Sequence, residues 1–238
     1  MPPFEVVNPQ GRAAALIVCD HASRHIPPEY GNLGVPEQEI ARHIGWDIGA
    51  GEVARKLAAL LDAPAVLCGT SRLVIDCNRR LDDPSSIPEA SDGTPVPGNR
   101  GLSEAERGRR VERFFRPYHD AIERRLDAFA APPALISIHS FTPVMHGFVR
   151  PWHVGLLYDE DDRLARPLIA ALRREPGLVV GDNEPYSGRH PVGYALATYG
   201  NGRGLAPAVF EIRQDLIETP ENAHNWSALI SRIISPIL

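Results

Sequence analysis

The chain has 238 residues, and its 25 basic and 30 acidic side chains give a formal net charge of −5. Hydrophobic residues make up 43% of the sequence, which excludes a disordered tail or a fibre and predicts a globular fold. The charge is mildly negative without a polybasic run, so we expect a small molecule as partner rather than nucleic acid or an anionic membrane surface.

Short apolar runs along the chain predict the strands of a buried sheet. The first run, 13–19, is followed directly by the polar pair Asp20 and His21. The later runs cover 65–67, 73–75, 134–138, 154–157, 178–180 and 207–210.

Helical spacing of apolar residues fills the intervals between these runs. The predicted helices lie near 36–43, 48–61, 103–130, 160–174, 191–199 and 221–234. Ser103 and Glu106 form a capping box at the start of the third helix, and Pro117 is expected to break or kink it before Tyr118. Strands alternating with helices predict a three-layer α/β fold, a mostly parallel sheet with helices on both faces, as one domain over 1–238.

The segment 81–101 has no periodicity and is rich in Pro, Gly, Ser and Asp. A loop of about twenty residues without structure is typical of a functional lid or of disorder.

The N-terminus lacks a signal-peptide pattern, and no segment approaches the about 18 uncharged apolar residues of a membrane span, so we expect a cytoplasmic protein. The three cysteines form no CxxC motif, which argues against a disulfide scaffold or a thiolate zinc site. The sequence leaves the oligomeric state open.

Chemically useful side chains occur where three of the predicted strands end. His21 follows the first strand, His139 follows the run 134–138, and Glu211 follows the last run. Ligands gather at the carboxyl ends of the strands in such sheets, so neighbouring strands would bring these groups into one crevice. Two imidazoles and a carboxylate are a ligand set that catalytic zinc uses, and other divalent ions accept it too.

Asp47 is the preferred third ligand, because it lies at the predicted start of the helix 48–61, soon after the loop that His21 opens. An Asp in this position is equally typical of a helix N-cap without any metal. Glu52 and His43 are the alternatives, and His43 would be within reach of Asp47 on a continuous helix.

The segment 71–80 brings an Asn and two Arg together after the predicted strand 73–75. Asn78, Arg79 and Arg80 have the donors needed to bind a carboxylate through forked, charge-assisted hydrogen bonds. A simple ion pair between Asp76 and Arg79 is the structural alternative.

Seven short blocks, taken in order, resemble those of the N-formylglutamate amidohydrolase family. They are Asp20-His21-Ala22-Ser23 with Ile26-Pro27, Trp46-Asp47, 72–79, Pro117-Tyr118-His119-Asp120, Ile138-His139-Ser140, Gly193-Tyr194 and 210–214. The resemblance implies a zinc-dependent α/β hydrolase with a fold akin to the zinc carboxypeptidases. It also implies that the segment 76–79 binds a substrate carboxylate and that Glu211 promotes water. Carboxypeptidases carry a Glu three residues after the first metal-binding His, where this chain has Arg24, so the third ligand must come from elsewhere.

The expected reaction is hydrolysis of the formyl or acyl amide of an N-acylated acidic amino acid such as N-formylglutamate. His21, Asp47 and His139 would hold Zn²⁺, Glu211 would act as general base, and Arg213 or His119 would assist the oxyanion.

Asn78, Arg79 and Arg80 would anchor the substrate carboxylate, and Tyr194 would close over the substrate through its hydroxyl.

The sequence has no Gly-x-Ser-x-Gly elbow, which argues against a serine hydrolase of the α/β type. The alternatives are a zinc exopeptidase, an N-acyl-amino-acid deacylase of longer chains, and a non-catalytic binding protein for acidic small molecules.

Overall fold

A single seven-stranded sheet forms the centre of the computed structural model, which describes residues 1–189 and 193–238. The strands are β1 Phe4–Val7, β2 Ala15–Cys19, β3 Ala65–Cys68, β4 Ala134–Phe141, β5 Val154–Leu157, β6 Val180–Asp182 and β7 Pro207–Arg213. Their order across the sheet is β1-β3-β2-β4-β7-β5-β6. The four strands from β3 to β7 are parallel, β1 is antiparallel to β3, and β5 is antiparallel to β7 but parallel to β6. The predicted mixed, mostly parallel sheet is therefore confirmed.

Helices cover both faces of this sheet. They are α1 Glu37–Ile40, α2 Ala50–Leu61, α3 Glu104–Arg110, α4 Arg116–Asp127, α5 Ala165–Leu172 and α6 Pro220–Ile234. In β2, Ile17 belongs to the apolar core under α2, α5 and α6, whereas its neighbour Val18 belongs to the core under α4. Since alternate side chains of a strand point to opposite faces, these two cores confirm the predicted three layers.

The helix predicted over 103–130 is interrupted by a π-helical turn at Val111–Phe115 rather than broken. The backbone N–H of Arg116 donates to the carbonyl of Val111, five residues back, and Pro117 then lies in the first turn of α4. A proline is tolerated there because the missing N–H has no partner within the helix at that position. Half of the predicted capping box is confirmed, since Ser103 accepts a hydrogen bond from the N–H of Glu106, whereas the Glu106 carboxylate accepts from Arg109 and Arg110.

The strand predicted over 73–75 is absent. This stretch is buried, but its backbone groups bond to side chains and a loop instead of a neighbouring strand. Leu73 O accepts from Asn99 Nδ2 at 2.8 Å and Val74 O accepts from Arg110 Nη1 at 3.0 Å. These side chains replace the hydrogen bonds of a strand neighbour, so an apolar run here does not need a sheet.

The segment 81–101 is folded, so the prediction of a structureless loop is wrong. It contains a small hairpin, Ala90–Ser91 with Thr94–Pro95, and two 3₁₀ turns. Asn99, fully buried, ties it to the rest of the molecule. Of the helix predicted over 191–199, Pro191 and Val192 lie outside the described residues, and a π-helical turn covers Leu196–Asn201. In the part of the chain described, none of the helices has the length and apolar character needed to cross a membrane.

Candidate metal centre and active site

Three adjacent strands assemble the candidate site at the carboxyl ends of the parallel part of the sheet. His21 lies two residues beyond the end of β2, and β4 and β7 carry His139 and Glu211, which are register partners. All three side chains are buried. The structure thus brings together the three groups whose convergence the sequence predicted.

Two imidazoles and one carboxylate form a compact cluster. Asp47 Oδ2 lies 3.3 Å from His21 Nδ1 and 2.8 Å from His139 Nδ1. One donor atom from each of the three residues lies within 4.8 Å of the others, and the two ring centroids are 5.2 Å apart. A single ion could therefore contact all three residues.

The outward nitrogens of both imidazoles face further buried carboxylates. His21 Nε2 lies 2.7 Å from Asp76 Oδ1, and His139 Nε2 lies 3.3 Å from Asp20 Oδ2. Asp20 is held in turn by the hydroxyl of Tyr118, which donates to its Oδ1 at 2.8 Å. Carboxylates in these positions keep the proton on Nε2 and leave the lone pair of Nδ1 for a metal, as in many metal sites.

The charge of the cluster also fits a divalent cation. Four buried carboxyl groups, those of Asp20, Asp47, Asp76 and Glu211, surround the imidazoles, and among the described residues the Arg72 guanidinium alone forms arginine ion pairs with them. Burial would lower the pKa of His139, but Asp20 and Asp47 outweigh it and raise this pKa well above its usual value. A metal ion would supply the positive charge that otherwise comes from protons on the imidazoles.

Asp47 is not a helix cap, in contrast to the alternative interpretation. Gly49 precedes α2 with φ +80°, and a Cβ there would lie 2.2 Å from the carbonyl oxygen of Ile217, so this position requires glycine. The carboxylate of Asp47 is therefore free to point into the cluster, where the N–H of Ser140 also donates to its Oδ2 at 3.3 Å.

The two alternative ligands do not join the cluster. Glu52 pairs with Lys56 on the surface of α2. His43 lies 3.4 Å from an Asp92 oxygen, and α1 ends at Ile40, so no continuous helix connects it to Asp47.

Glu211 has the properties of a group that exchanges protons. It is 7% exposed, and its Oε2 has no hydrogen-bond partner among the described residues. Burial raises its pKa to about 7, with His139 lowering this pKa and Asp47 adding to the rise. A carboxyl group with a pKa near neutrality is well suited to general acid–base chemistry.

A cavity of about 740 Å³ opens beside the cluster, and Asn78 and Arg79 form part of its wall. Arg79 donates to the carbonyl of Asn78 at 3.0 Å, and across the described ranges no carboxylate lies within 4.0 Å of its guanidinium. Asn78 Oδ1 accepts from the N–H of Ala195 at 3.1 Å, and a Cβ on Gly193 would lie 2.8 Å from this same oxygen. The guanidinium of Arg79 is thus available to an anionic ligand.

Four other residues with a predicted role lie outside the lining of this cavity, namely Arg80, Arg213, His119 and Tyr194. Arg80 is exposed and pairs with Asp82, and Arg213 pairs with Asp215 at 2.8 Å. The structure does not bring these two guanidinium groups to the cluster.

His119 and Tyr194 pack against each other behind the wall, with ring centroids 4.5 Å apart. Both nitrogens of His119 are engaged, Nδ1 with the hydroxyl of Tyr199 and Nε2 with the carbonyl of Cys77, each at 2.9 Å. Burial lowers the pKa of His119 to about 4, so the imidazole is neutral near pH 7.

Arg72 and Tyr186 are polar residues of the cavity wall for which the sequence predicted no role. Arg72 donates to Asp47 Oδ1 at 3.3 Å and to Asp76 Oδ2 at 2.9 Å. The position of Arg72 four residues before Asp76 is the sequence signal that could have indicated this ion pair. Tyr186 lines the cavity and accepts a hydrogen bond from the buried Arg150 at 3.1 Å, and no pattern in the sequence points to it.

The fold and the site together define a class: a three-layer α/β protein with a His–Asp–His cluster and a buried Glu at the carboxyl ends of its central strands. The family model for N-formylglutamate amidohydrolase matches residues 13–218, so the chain belongs to the N-formylglutamate amidohydrolase family. The predicted resemblance is confirmed, and membership implies an enzyme that acts on the amide bond of a small molecule.

Two solved structures resemble the chain closely over its length. The gene product Atu2144 from Agrobacterium tumefaciens is 35% identical, with a TM-score of 0.95 over 99% of this chain and 94% of that one. An N-formylglutamate amidohydrolase from Ralstonia eutropha JMP134 shares the fold at 21% identity, with a TM-score of 0.71 over 100% of this chain and 97% of that one. No curated protein gives a significant sequence match.

Proposed function

We propose that the protein is a zinc-dependent amidohydrolase that removes the formyl or acyl group of an N-acylated amino acid. The observation that carries the proposal is the convergence of His21 Nδ1 and His139 Nδ1 on Asp47 Oδ2, beside Glu211 Oε2, which has no hydrogen-bond partner within 1–189 and 193–238. When bound by such a ligand set, zinc acidifies a water molecule and polarises a carbonyl group. N-formylglutamate, which gives the family its name, is the reference substrate for testing this activity.

Glu211 acts as the general base in this proposal. Its carboxyl group takes a proton from the attacking water and returns it to the leaving nitrogen. Its Oε2, which has no hydrogen-bond partner among the described residues, is free for both transfers, and burial raises the pKa of the carboxyl group, which favours its role as proton carrier.

Arg79 and Asn78 hold the carboxylate of the amino acid. The support is the guanidinium of Arg79, which faces the cavity without a carboxylate partner in the described chain. Arg72 lines the cavity and its guanidinium bonds both Asp47 and Asp76, whereas Arg213 and His119 lie outside the cavity lining. It is therefore the group proposed to bind the oxyanion.

Replacing Glu211 by Gln tests whether Glu211 acts as the general base and takes no part in binding zinc. The variant should keep about one zinc ion per chain, measured by elemental analysis, and should lose turnover by about 10² or more. Release of formate or the free amino acid measures turnover. Glu52→Gln, on the surface of α2, is the matched control and should behave as the parent protein.

Undiminished turnover in Glu211→Gln would remove Glu211 from the mechanism. A parent protein that binds no zinc and hydrolyses no acylated amino acid would instead support the non-catalytic binder of acidic small molecules.

A further inference from the structure

The cavity extends along the sheet below the His139–Glu211 pair. Two residues earlier in their strands, Ser137 of β4 and Val209 of β7 are also register partners, and Val209 is paired in turn with Leu157 of β5. Since side chains alternate along a strand, Ser137 and Val209 share the face of His139 and Glu211, about 6.7 Å further down. All three residues line the cavity.

This lower part, the side-chain pocket, is formed by Ser137, Leu157, Leu196 and Val209. Leu157, Leu196 and Val209 form a separate small apolar cluster. Ser137 is 2% exposed, and its hydroxyl oxygen has no hydrogen-bond partner in the described parts of the chain. The pocket thus offers an apolar surface with one free hydroxyl group.

The side-chain pocket is connected to the carboxylate-binding residues through one short segment. Ala195 donates its N–H to Asn78 Oδ1, and both Ala195 and the next residue, Leu196, line the cavity. The pocket therefore adjoins Asn78 through Ala195 and Leu196, and it adjoins His139 and Glu211 through Ser137 and Val209.

An N-acyl amino acid carries its carboxylate, its amide and its side chain on one carbon atom. With the carboxylate at Arg79 and the amide at the cluster, the side-chain pocket is a part of the cavity that adjoins both and can receive the substrate side chain.

We propose that this pocket selects an N-acyl amino acid with an uncharged, mainly aliphatic side chain in preference to glutamate. The inference rests on the proposed function and specifies its substrate class. A carboxylate placed against Leu157, Leu196 and Val209 would lose its hydration and, among the described residues of the pocket, would gain only the Ser137 hydroxyl and no cation, whereas an aliphatic side chain gains buried contact. Arg79 does not compensate, because it binds the other carboxylate of the substrate.

The first experiment compares kcat/KM for N-formyl-L-leucine and N-formyl-L-glutamate on the zinc-loaded protein. The proposal expects leucine to be preferred by at least about tenfold. Leu196→Ala should lower kcat/KM for the leucine substrate and raise it for N-formyl-L-phenylalanine, because the pocket becomes larger. Leu60→Ala, an exposed leucine of α2, is the matched control and should leave the ratio unchanged.

A binding measurement separates this inference from the proposed reaction. Glu211→Gln, loaded with zinc, is titrated calorimetrically with the same two compounds, so that selectivity is measured without turnover. Tighter binding of the leucine compound supports the pocket even if the parent protein hydrolyses neither, which would count against the reaction alone. Equal or tighter binding of N-formyl-L-glutamate, or a leucine-to-glutamate ratio that Leu196→Ala leaves unchanged, overturns the inference and leaves the proposed reaction intact.

Discussion

Arg79 and Arg80 are neighbours in the sequence but have different surroundings. Arg79 lines the cavity beside Asn78, whereas Arg80 is 71% exposed and pairs with Asp82. If Arg79 holds the substrate carboxylate equally in the ground and transition states, Arg79→Ala should raise KM by about 10-fold or more with little change in kcat. Arg80→Ala is the matched control, and steady-state kinetics on an N-formyl amino acid measures both. A KM that does not change in Arg79→Ala would make Arg79 a structural residue.

Asp76 connects the candidate metal centre to the segment proposed to bind the substrate carboxylate. Its Oδ1 faces His21 Nε2 at 2.7 Å and accepts from the N–H of Asn78, while Oδ2 accepts from Arg72. Asp76→Asn should weaken zinc affinity by about 10- to 100-fold, because the carboxylate that orients the imidazole is lost. Competition with a chromophoric chelator measures this change. Asp82→Asn removes a carboxylate from the same segment on the surface and should not alter the affinity, so equal values for both variants would contradict the role of Asp76.

At the scale of residues, the sequence could predict the groups that stand at strand ends. His21, His139 and Glu211 follow apolar runs, and the carboxyl ends of parallel strands meet at one edge. Tyr186 could not be predicted, because it reaches the cavity from an irregular segment and its hydrogen bond to Arg150 joins residues 36 positions apart.

At the scale of elements, the turn at 73–75 is held in place by one buried guanidinium. Arg110 of α3 is 1% exposed and donates to Val74 O and to Asn99 Oδ1. Arg110→Met should lower the free energy of unfolding by about 3 kcal/mol, because both acceptors are left buried without their donor. Urea unfolding measures this loss.

The neighbouring Arg109 provides the control for this substitution. Its side chain is 66% exposed and also pairs with Glu106, so Arg109→Met removes a guanidinium of the same helix at little cost. Similar midpoints for both variants would show that Arg110 does not hold the turn.

This contact also explains why the strand predicted over 73–75 is absent. The apolar pattern correctly indicates burial, but it cannot distinguish a strand from a turn whose carbonyl groups bond to distant side chains. The donors come from Asn99 and Arg110, 26 and 36 residues further along the chain from the carbonyl groups that they bind. Burial was therefore predictable from the sequence, and secondary structure was not.

At the scale of the whole molecule, the class of fold followed from the alternation of apolar runs and helical spacing. The order of the strands in the sheet could not be predicted from this alternation. β2 and β4 are neighbours in the sheet although β3 lies between them in the sequence, and this crossover places His21 beside His139. The convergence of the two imidazoles could be expected only on the condition that their strands are adjacent, and the sheet meets that condition.

In the same arrangement a bound metal ion would link distant parts of the chain, since His21, Asp47 and His139 come from three separate segments. Removal of zinc with a chelator should therefore destabilise the folded protein, because four buried carboxyl groups lose a neutralising cation. Zinc at about 1,000 times its Kd contributes about 4 kcal/mol, which corresponds to a rise in Tm of about 10 °C for a domain of this size. Differential scanning calorimetry with and without zinc measures the shift. Asp47→Ala should abolish most of it, while Asp92→Ala, which removes a carboxylate from the cavity wall but not from the cluster, should retain it. A Tm that zinc does not change in the parent protein would mean that the three segments are held together without a metal ion.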